Sequence, residues 1–373
     1  MNVLHVYRTY FPDTQGGLEE VIRQISLNTQ PFGIKSRVLT LSKHPDPCFI
    51  QREEADVYRY KLDFEIASCG FSLSALRAFK EHVEWADIIH YYFPWPFADI
   101  LHFTTLPKKP IIITYISDIV RQKSLLKLYK PVMRKFLQAA DRIVVTSPNH
   151  LRSSPVLVDY QDKTTVIPIG LNQSSYPDLD NQLKQALKAQ YGEGFFLFIG
   201  VFRYYKGLRY LIEAAAKQSF KVVIAGSGKP AEIAELKQQA AALQASNIFF
   251  AGGITNPEKV AMIELSKAIV LPSIHASEAF GVTLLEGAMH GKPLISTELG
   301  TGTTYVNKHN ETGLVVQPRN SQQLQEAMKI LHTDQALAKK LGEGALLRYQ
   351  TLFTGTKMAE AYANEYFGLM AKQ

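Results

Sequence analysis

The chain has 373 residues, 46% of them apolar and 20% charged, with a formal net charge of +7. At roughly 150 residues per domain there is room for about two domains, and this ordinary globular balance excludes a disordered tail, a collagen-like repeat and a small disulfide-stapled scaffold. Cys48 and Cys69 are too few for a disulfide framework and are not spaced as a metal pair, so a reducing, cytoplasmic setting is the simplest fit.

Val3–Tyr7 reads as the first strand. This apolar start is short and interrupted by His5, which does not suit a secretory signal. The longest apolar run, Phe195 to Phe202, is far below the roughly 18 residues that a spanning helix needs. Gly16-Gly17 then opens a helix with Leu18, Val21, Ile22 and Ile25 on one side. Val38–Leu41, Ile88–Tyr91, Ile111–Thr114 and Ile143–Thr146 are further strands, and Thr165–Ile169 closes the first half. The polar, turn-rich segment from Gly170 to Asp180 reads as a linker, with a hinge near 170–190. The rhythm restarts with Phe195–Ile199, Val222–Ala225, Ile248–Phe250, Ile269–Leu271, Leu294–Ser296 and Leu314–Val316. A last helix, about Thr356 to Met370, lies beyond it. Short apolar runs alternating with amphipathic stretches predict βα units, hence two α/β domains with parallel sheets. The expected boundaries are 1–175, 176–355 and a terminal helix 356–373 that returns to the first domain.

The positive charge is spread along the chain except between Arg121 and Lys135. That stretch holds Arg121, Lys123, Lys127, Lys130, Arg134 and Lys135 and no acid, with Leu125, Leu126, Leu128, Val132, Met133, Phe136 and Leu137 at helix-like spacing. A basic amphipathic helix of this kind either lies on an anionic leaflet or is a solvated face of its own domain. Basic and aromatic residues do not interleave in it, which argues against a nucleic-acid partner.

Ligands of open α/β sheets bind outside the carboxyl ends of the strands, so the loops after strands hold the candidate chemistry. Gly200 to Gly207 leads from a strand into a helix and carries Arg203 and Lys206. A helix start with two cations suits a diphosphate; the plain alternative is two surface charges. Ser277 to Glu286 follows another strand. In it Glu278 sits in the loop, Phe280-Gly281-Val282 at the turn, and Glu286 one turn into the helix. Each glutamate could hold a vicinal diol, or be a helix-start acid favoured by the dipole. Gly16-Gly17 and Gly226-Ser227-Gly228 are further loops that a ligand could approach closely. Asp178-Leu179-Asp180 has the spacing of a metal-binding acid pair, but lies in the expected linker. No zinc-protease or hydrolase-elbow motif occurs.

Together these residues resemble the retaining nucleotide-sugar glycosyltransferases of family 4, which have the GT-B fold. The matching pieces are Gly16-Gly17, Arg203 with Lys206-Gly207, Gly226-Ser227-Gly228, the acid pair Glu278 and Glu286, and Gly291-Lys292-Pro293. The segments 117–123, 146–149, 286–289 and 300–307 are similar to those of bacterial O-antigen and polysaccharide mannosyl- and rhamnosyltransferases. The resemblance implies two doubly wound, Rossmann-like domains facing a cleft. It implies a catalytic set of Arg203, Lys206 and Glu278, in which the cations hold the donor diphosphate and Glu278 holds hydroxyls of the transferred sugar. Glu286 would bind the ribose. Gly16, Gly17, Ser227, Phe280, Gly281 and Val282 would lie around the donor, with Ile116, Ser117 and Asp118 near its sugar. It further implies a hexosyltransferase without metal or cofactor that retains anomeric configuration by front-face attack. The donor would be a nucleotide-sugar such as GDP-mannose, the acceptor a lipid-linked saccharide of lipopolysaccharide biosynthesis, and the site of action the inner face of the membrane. One position departs from the family. Thr114-Tyr115-Ile116-Ser117-Asp118 has isoleucine where relatives commonly carry histidine. An apolar Ile116 would suit a 6-deoxy sugar such as rhamnose; alternatively the chain is a non-catalytic nucleotide-sugar-binding subunit.

Overall fold

The structure, a computed structural model, describes residues 1–66, 69–119 and 123–372, with the backbone alone for residues 123–126. It divides into two compact units, one of Met1–Gly170 with the residues from Gly355 onward, the other of Leu171–Thr354.

Among the described residues the first unit has ten strands: β1 (Asn2–Val6), β2 (Lys35–Ser42), β3 (Phe49–Gln51), β4 (Asp56–Lys61), β5 (Phe64–Ile66), β6 (Cys69–Phe71), β7 (Ile88–Phe93), β8 (Ile111–Tyr115), β9 (Arg142–Val145) and β10 (Thr164–Val166). Eight of them form one sheet in the order β10-β9-β8-β7-β1-β2-β4-β3. All neighbours are parallel except β3 and β4. The central strands read as unbroken apolar runs because helices cover both faces of a parallel sheet; every residue of β7 and β8 is buried.

Polar side chains on these strands decide where the last helix sits. His5 on β1 and His90 on β7 are register partners. His90 bonds through Nε2 to Thr114 Oγ1 (2.6 Å) and through Nδ1 to Tyr366 Oη (2.8 Å), and Thr114 also meets Tyr362 Oη (3.1 Å). Tyr362 and Tyr366 are one helical turn apart, on the same face of the helix Gly355–Met370. That helix therefore belongs to the first unit. The satisfied polar cluster is buried, and burial holds His90 well below the usual histidine range and His5 at about 3.

The second unit contains β11 (Phe195–Ile199), β12 (Val222–Ala225), β13 (Ile248–Gly252), β14 (Ser266–Leu271), β15 (Leu294–Thr297) and β16 (Gly313–Val316). They pair in the order β13-β12-β11-β14-β15-β16, all parallel. Strand order reverses between β11 and β14, and such a reversal opens a crevice beyond the carboxyl ends of the two strands.

Several local expectations change. The paired strands β3 and β4, and the antiparallel pair β5 and β6, were not anticipated; most of these strands are only three residues long and partly exposed, so alternation leaves little trace. The 170–180 segment is not a free linker. Leu171 is fully buried, bridges Thr354 and accepts a hydrogen bond from Tyr349 Oη (2.8 Å), and Tyr176 is buried as well. Its polar composition hid two anchoring side chains. Asp180 caps the helix Asn181–Tyr191 through the amides of Gln182 and Leu183, which accounts for this member of the acid pair without a metal. The basic stretch forms the helix Lys123–Ala139. Its apolar residues do not share one face: Met133, Phe136 and Leu137 are buried, whereas Leu128 and Val132 face solvent. Arg121 and the side chains of Lys123, Leu125 and Leu126 lie outside the described residues, so the burial just given is that of the other residues of the stretch.

Candidate active site

The crevice of the second unit is lined by the loops after β11 and β14. The first runs from Gly200 into a short 3-10 turn, Tyr204–Lys206, and then the helix Leu208–Ala215. Gly207 joins turn to helix in the left-handed region, φ 70°. A Cβ there would lie 2.0 Å from the Pro272 carbonyl oxygen, so only glycine lets the two loops approach this closely. The amide of Ile274 donates to Tyr205 O (2.7 Å), which ties the loops together. Gly226 plays a similar part towards β12: a Cβ would lie 1.9 Å from Gly200 O. Ser227 is exposed and uses its carbonyl to accept from the Phe202 amide (2.6 Å).

This closure puts Lys206 on Glu278. Lys206 Nζ donates to Glu278 Oε2 at 2.5 Å, and Ser273 Oγ donates to the same oxygen at 3.0 Å. The loop is held in shape by Thr301 Oγ1, which donates to Glu278 O (2.7 Å). Burial alone would lower the affinity of Lys206 for its proton. The charge of Glu278, with help from Tyr205 and the hydrogen bond, outweighs it and holds Lys206 above the usual lysine range. Arg203 is exposed and makes no ion pair among the described residues, so its guanidinium is available at the rim.

Glu286 lies on the helix Val282–Met289, which starts at Gly281 in the left-handed conformation, φ 84°. A Cβ at Gly281 would come within 2.9 Å of Leu271. Amides of a first helical turn have no partner inside the helix, so Val282 and Thr283 present donors at the crevice. The Phe280 side chain points elsewhere: it is buried and meets the Phe353 ring edge-on at 6.0 Å, so only its backbone is available to a ligand. Glu286 Oε1 accepts from Lys259 Nζ (2.6 Å) and Tyr176 Oη (3.1 Å). Lys259 Nζ also stands 5.0 Å from the centre of the Tyr176 ring.

The remaining candidates lie in the first unit. Gly16 precedes the helix Gly17–Thr29 in extended conformation, φ −150°. The carboxylate of Glu19 folds back over Gly16, where a Cβ would lie 2.6 Å from Oε2, while Oε1 accepts from Thr14 Oγ1 (2.8 Å). The Ile116 amide donates to Phe93 O (2.9 Å), and Ile116 and Ser117 are half-buried just past β8. Asp118 Oδ1 accepts from Tyr115 Oη and Ser154 Oγ, each at 2.7 Å, so its carboxylate braces the loop.

Comparison with known proteins decides what this arrangement belongs to. Residues 15–174 match Glycosyltransferase Family 4, and residues 180–348 match Glycosyl transferases group 1. The chain is 48% identical over 354 residues to the D-rhamnosyltransferase WbpZ of Pseudomonas aeruginosa, covering 95% of this chain and 92% of that one. It is 44% identical over 370 residues to the O-antigen chain mannosyltransferase C of Escherichia coli, covering 99% of each. The chain belongs to the family 4 glycosyltransferases. It is an enzyme, a hexosyltransferase, and the alternative of a non-catalytic binding subunit is set aside. The fold agrees: sucrose-phosphate synthase from Thermosynechococcus elongatus superposes with a TM-score of 0.83 at 21% identity, covering 100% of both chains. HepE from Anabaena, solved with UDP and glucose, superposes at 0.79 and 15% identity, covering 99% of this chain and 100% of that one. Both units of this glycosyltransferase are thus the Rossmann-like halves of a GT-B fold.

In the glycosyltransferase the two acids of the Glu278…Glu286 element are built alike. Each gives one carboxylate oxygen to a lysine and a hydroxyl, Lys206 with Ser273 or Lys259 with Tyr176. Sequence reading found both acids and Lys206 but missed Lys259, Tyr176, Ser273 and Thr301. Tyr176 was read as linker. Lys259 stands on a separate helix, Asn256–Leu265, directly before a buried apolar run. That position, unusual for a cation, was the one signal available.

Proposed function

We propose that this glycosyltransferase moves a D-rhamnosyl or D-mannosyl unit from a GDP-sugar to a lipid-linked saccharide during O-antigen assembly, with retention and without a metal. The relatives named above support the sugar class and the pathway. The observation that carries the site is the Lys206–Glu278 pair at the strand-order reversal, with Arg203 at its rim. On this reading Arg203, Lys206 and the amides at Gly281–Val282 take the donor diphosphate. They stabilise the negative charge that grows as the bond between the anomeric carbon and the phosphate oxygen breaks. The free oxygen of Glu278 accepts from hydroxyls of the sugar, and Glu286 holds the ribose. The acceptor hydroxyl attacks the anomeric carbon on the face the diphosphate leaves, and its proton passes to the departing phosphate oxygen. Gly16, Gly17 and Ser227 lie around the donor on this reading, and Ser117 and Asp118 shape the loop that carries Ile116. We assign to Ile116 a preference for donors lacking a 6-hydroxyl, since an apolar side chain cannot satisfy that group.

The test compares turnover of GDP-D-rhamnose and GDP-mannose on a lipid-linked acceptor, with and without a chelator, and reads the product anomer by NMR. Faster turnover of GDP-D-rhamnose, insensitivity to chelator and a retained anomer are expected. A clear mannose preference would remove the role of Ile116, a chelator-sensitive rate would remove metal independence, and an inverted product would remove the mechanism. Replacing Arg203 with Ala is expected to lower kcat/KM by about 100-fold or more; unchanged turnover would dismiss it from the diphosphate site.

A lipid-linked acceptor also gives the basic helix a purpose. Among the described residues no helix is long and apolar enough to cross a membrane. Leu128, 80% exposed, stands on the helix Lys123–Ala139 with exposed Lys135 on the same face and exposed Lys127 on its flank, while Lys130 and Arg134 face further round and Arg134 pairs with Asp159. A solvent-facing leucine with cations on its flank matches an anionic leaflet, each free cation contributing about 1 kcal/mol near the surface. Salt-sensitive co-sedimentation with vesicles containing anionic lipid, weakened in Leu128→Glu, is the expected result. Equal binding to neutral vesicles would dismiss the charge argument.

A further inference from the structure

The anchors of Glu286 both act on one oxygen. Lys259 Nζ and Tyr176 Oη donate to Oε1, and no described residue donates to Oε2. The lysine and the acid are almost enclosed, with 13% and 6% of their side chains exposed. A carboxylate offers about four lone-pair positions. Two are used on Oε1, so Oε2 keeps two, the number that the two hydroxyls of a vicinal diol require. Without anchors the carboxyl group would rotate about its last bond and would have to be ordered when the ligand arrives. Here its plane is set beforehand by a cation that itself packs over an aromatic ring.

The lysine has a second effect. A donor that brings a diphosphate into the same crevice would be repelled by a bare glutamate. With Lys259 at 2.6 Å the pair is neutral overall, so the acid can accept hydroxyls without opposing the phosphates. Lys206 does the same for Glu278.

We propose that Lys259 and Tyr176 are positioning residues that aim Glu286 Oε2 at the nucleoside and so set the preference of the enzyme for a ribose that bears both hydroxyls. This rests on the reading of Glu286 as the ribose-binding acid. Lys259 and Tyr176 reach it from a different helix and from the first turn of the unit, which makes the ribose preference a property of three separate segments.

The experiment measures binding of GDP and of 2′,3′-dideoxy-GDP to the full chain by calorimetry, in wild type, Lys259→Met, Lys259→Arg, Tyr176→Phe and Glu286→Gln. Wild type is expected to prefer GDP. Lys259→Met should weaken GDP by about tenfold and dideoxy-GDP distinctly less, the latter only through repulsion between the bare carboxylate and the diphosphate, Lys259→Arg should restore most of the difference, and Tyr176→Phe should cost GDP about threefold. In turnover, Lys259→Met should raise the donor KM and spare kcat, which mere loosening of the fold would not do. Equal weakening of both nucleotides by Lys259→Met would overturn the proposal. If that variant does not fold, Tyr176→Phe decides alone: a preference retained in full overturns it. The two readings separate cleanly. If Glu286→Gln abolishes the preference while Lys259→Met and Tyr176→Phe keep it, only the positioning role fails. If wild type shows no preference at all, the ribose role of Glu286 fails and takes this proposal with it.

Discussion

Replacing Lys206 with Met tests whether the central ion pair is a structural tie, a catalytic one, or both. The two charges are 2.5 Å apart, with only 14% and 10% of their side chains exposed. At an effective dielectric of about 20 their attraction is roughly 6–7 kcal/mol, most of which offsets the desolvation of two charges. Removing one partner of a buried pair typically costs about 3–5 kcal/mol, because the other charge stays buried without compensation. Ser273 still donates to Glu278 in the variant, so about 2–3 kcal/mol is the expected loss for Lys206→Met. Glu278→Gln should cost a similar amount by stranding Lys206. In the double variant no charge is stranded, and stability should return to within about 1 kcal/mol of wild type, a favourable coupling between the two positions. Activity should not return: each single variant is expected to lose about 100-fold or more in kcat/KM, and the double variant at least as much. Urea unfolding followed by circular dichroism reads the stability. Both tryptophans, Trp85 and Trp95, lie in the first unit, so their fluorescence serves as an internal control that these variants should leave in place. Single variants as stable as wild type would refute the electrostatic reasoning, and a double variant with wild-type turnover would refute the catalytic assignment.

Three further outcomes are expected. Gly207→Ala, which forces a Cβ to 2.0 Å from Pro272 O at φ 70°, should destabilise the second unit by more than 1 kcal/mol and lower donor affinity as the loops separate; a variant with unchanged urea midpoint would show that the loops can part freely. Acid should weaken the first unit. His5 and His82 are held at about 3 and about 4 and His90 well below the usual histidine range, chiefly by burial, so as the pH falls below about 6.5 the unfolded chain binds protons that the folded one refuses. Asp99, raised to about 7 by burial, works in the opposite direction, but three histidines outweigh one carboxyl; tryptophan fluorescence should therefore report a lower urea midpoint at pH 5 than at pH 7.5, and a higher one would contradict the sign. Tyr366→Phe removes the 2.8 Å partner of His90 Nδ1 and leaves it only the long contact with Tyr92 Oη at 3.5 Å, and should cost about 1–2 kcal/mol in the first unit while sparing donor binding; a fall in nucleotide affinity without loss of stability would contradict this purely structural role.

Much of the architecture was open to reading from the residues alone. Apolar stretches such as Phe195–Ile199 and Ile111–Ile113 read as central strands of a parallel sheet, and their spacing left room for one helix between each pair. Gly207 and Gly281 stood out as glycines where a strand turns into a helix; that both adopt left-handed backbone is what the structure adds. The acids Glu278 and Glu286 were visible because both lie on one loop and the helix it enters. All of these signals are local, carried by neighbours within a turn or a strand.

What tertiary structure alone decided is which distant groups meet. Lys206 and Glu278 are 72 residues apart, Lys259 and Glu286 27, Tyr176 and Glu286 110, and His90 and Tyr366 276. No periodicity relates such pairs. They form because the strand order places β11 beside β14, because glycine permits two loops to touch, and because two tyrosines one turn apart find a histidine and a threonine on the sheet beneath them. A charge within a sequence is only a candidate; the sheet order chooses its partner, and with it the oxygen that stays free for a ligand.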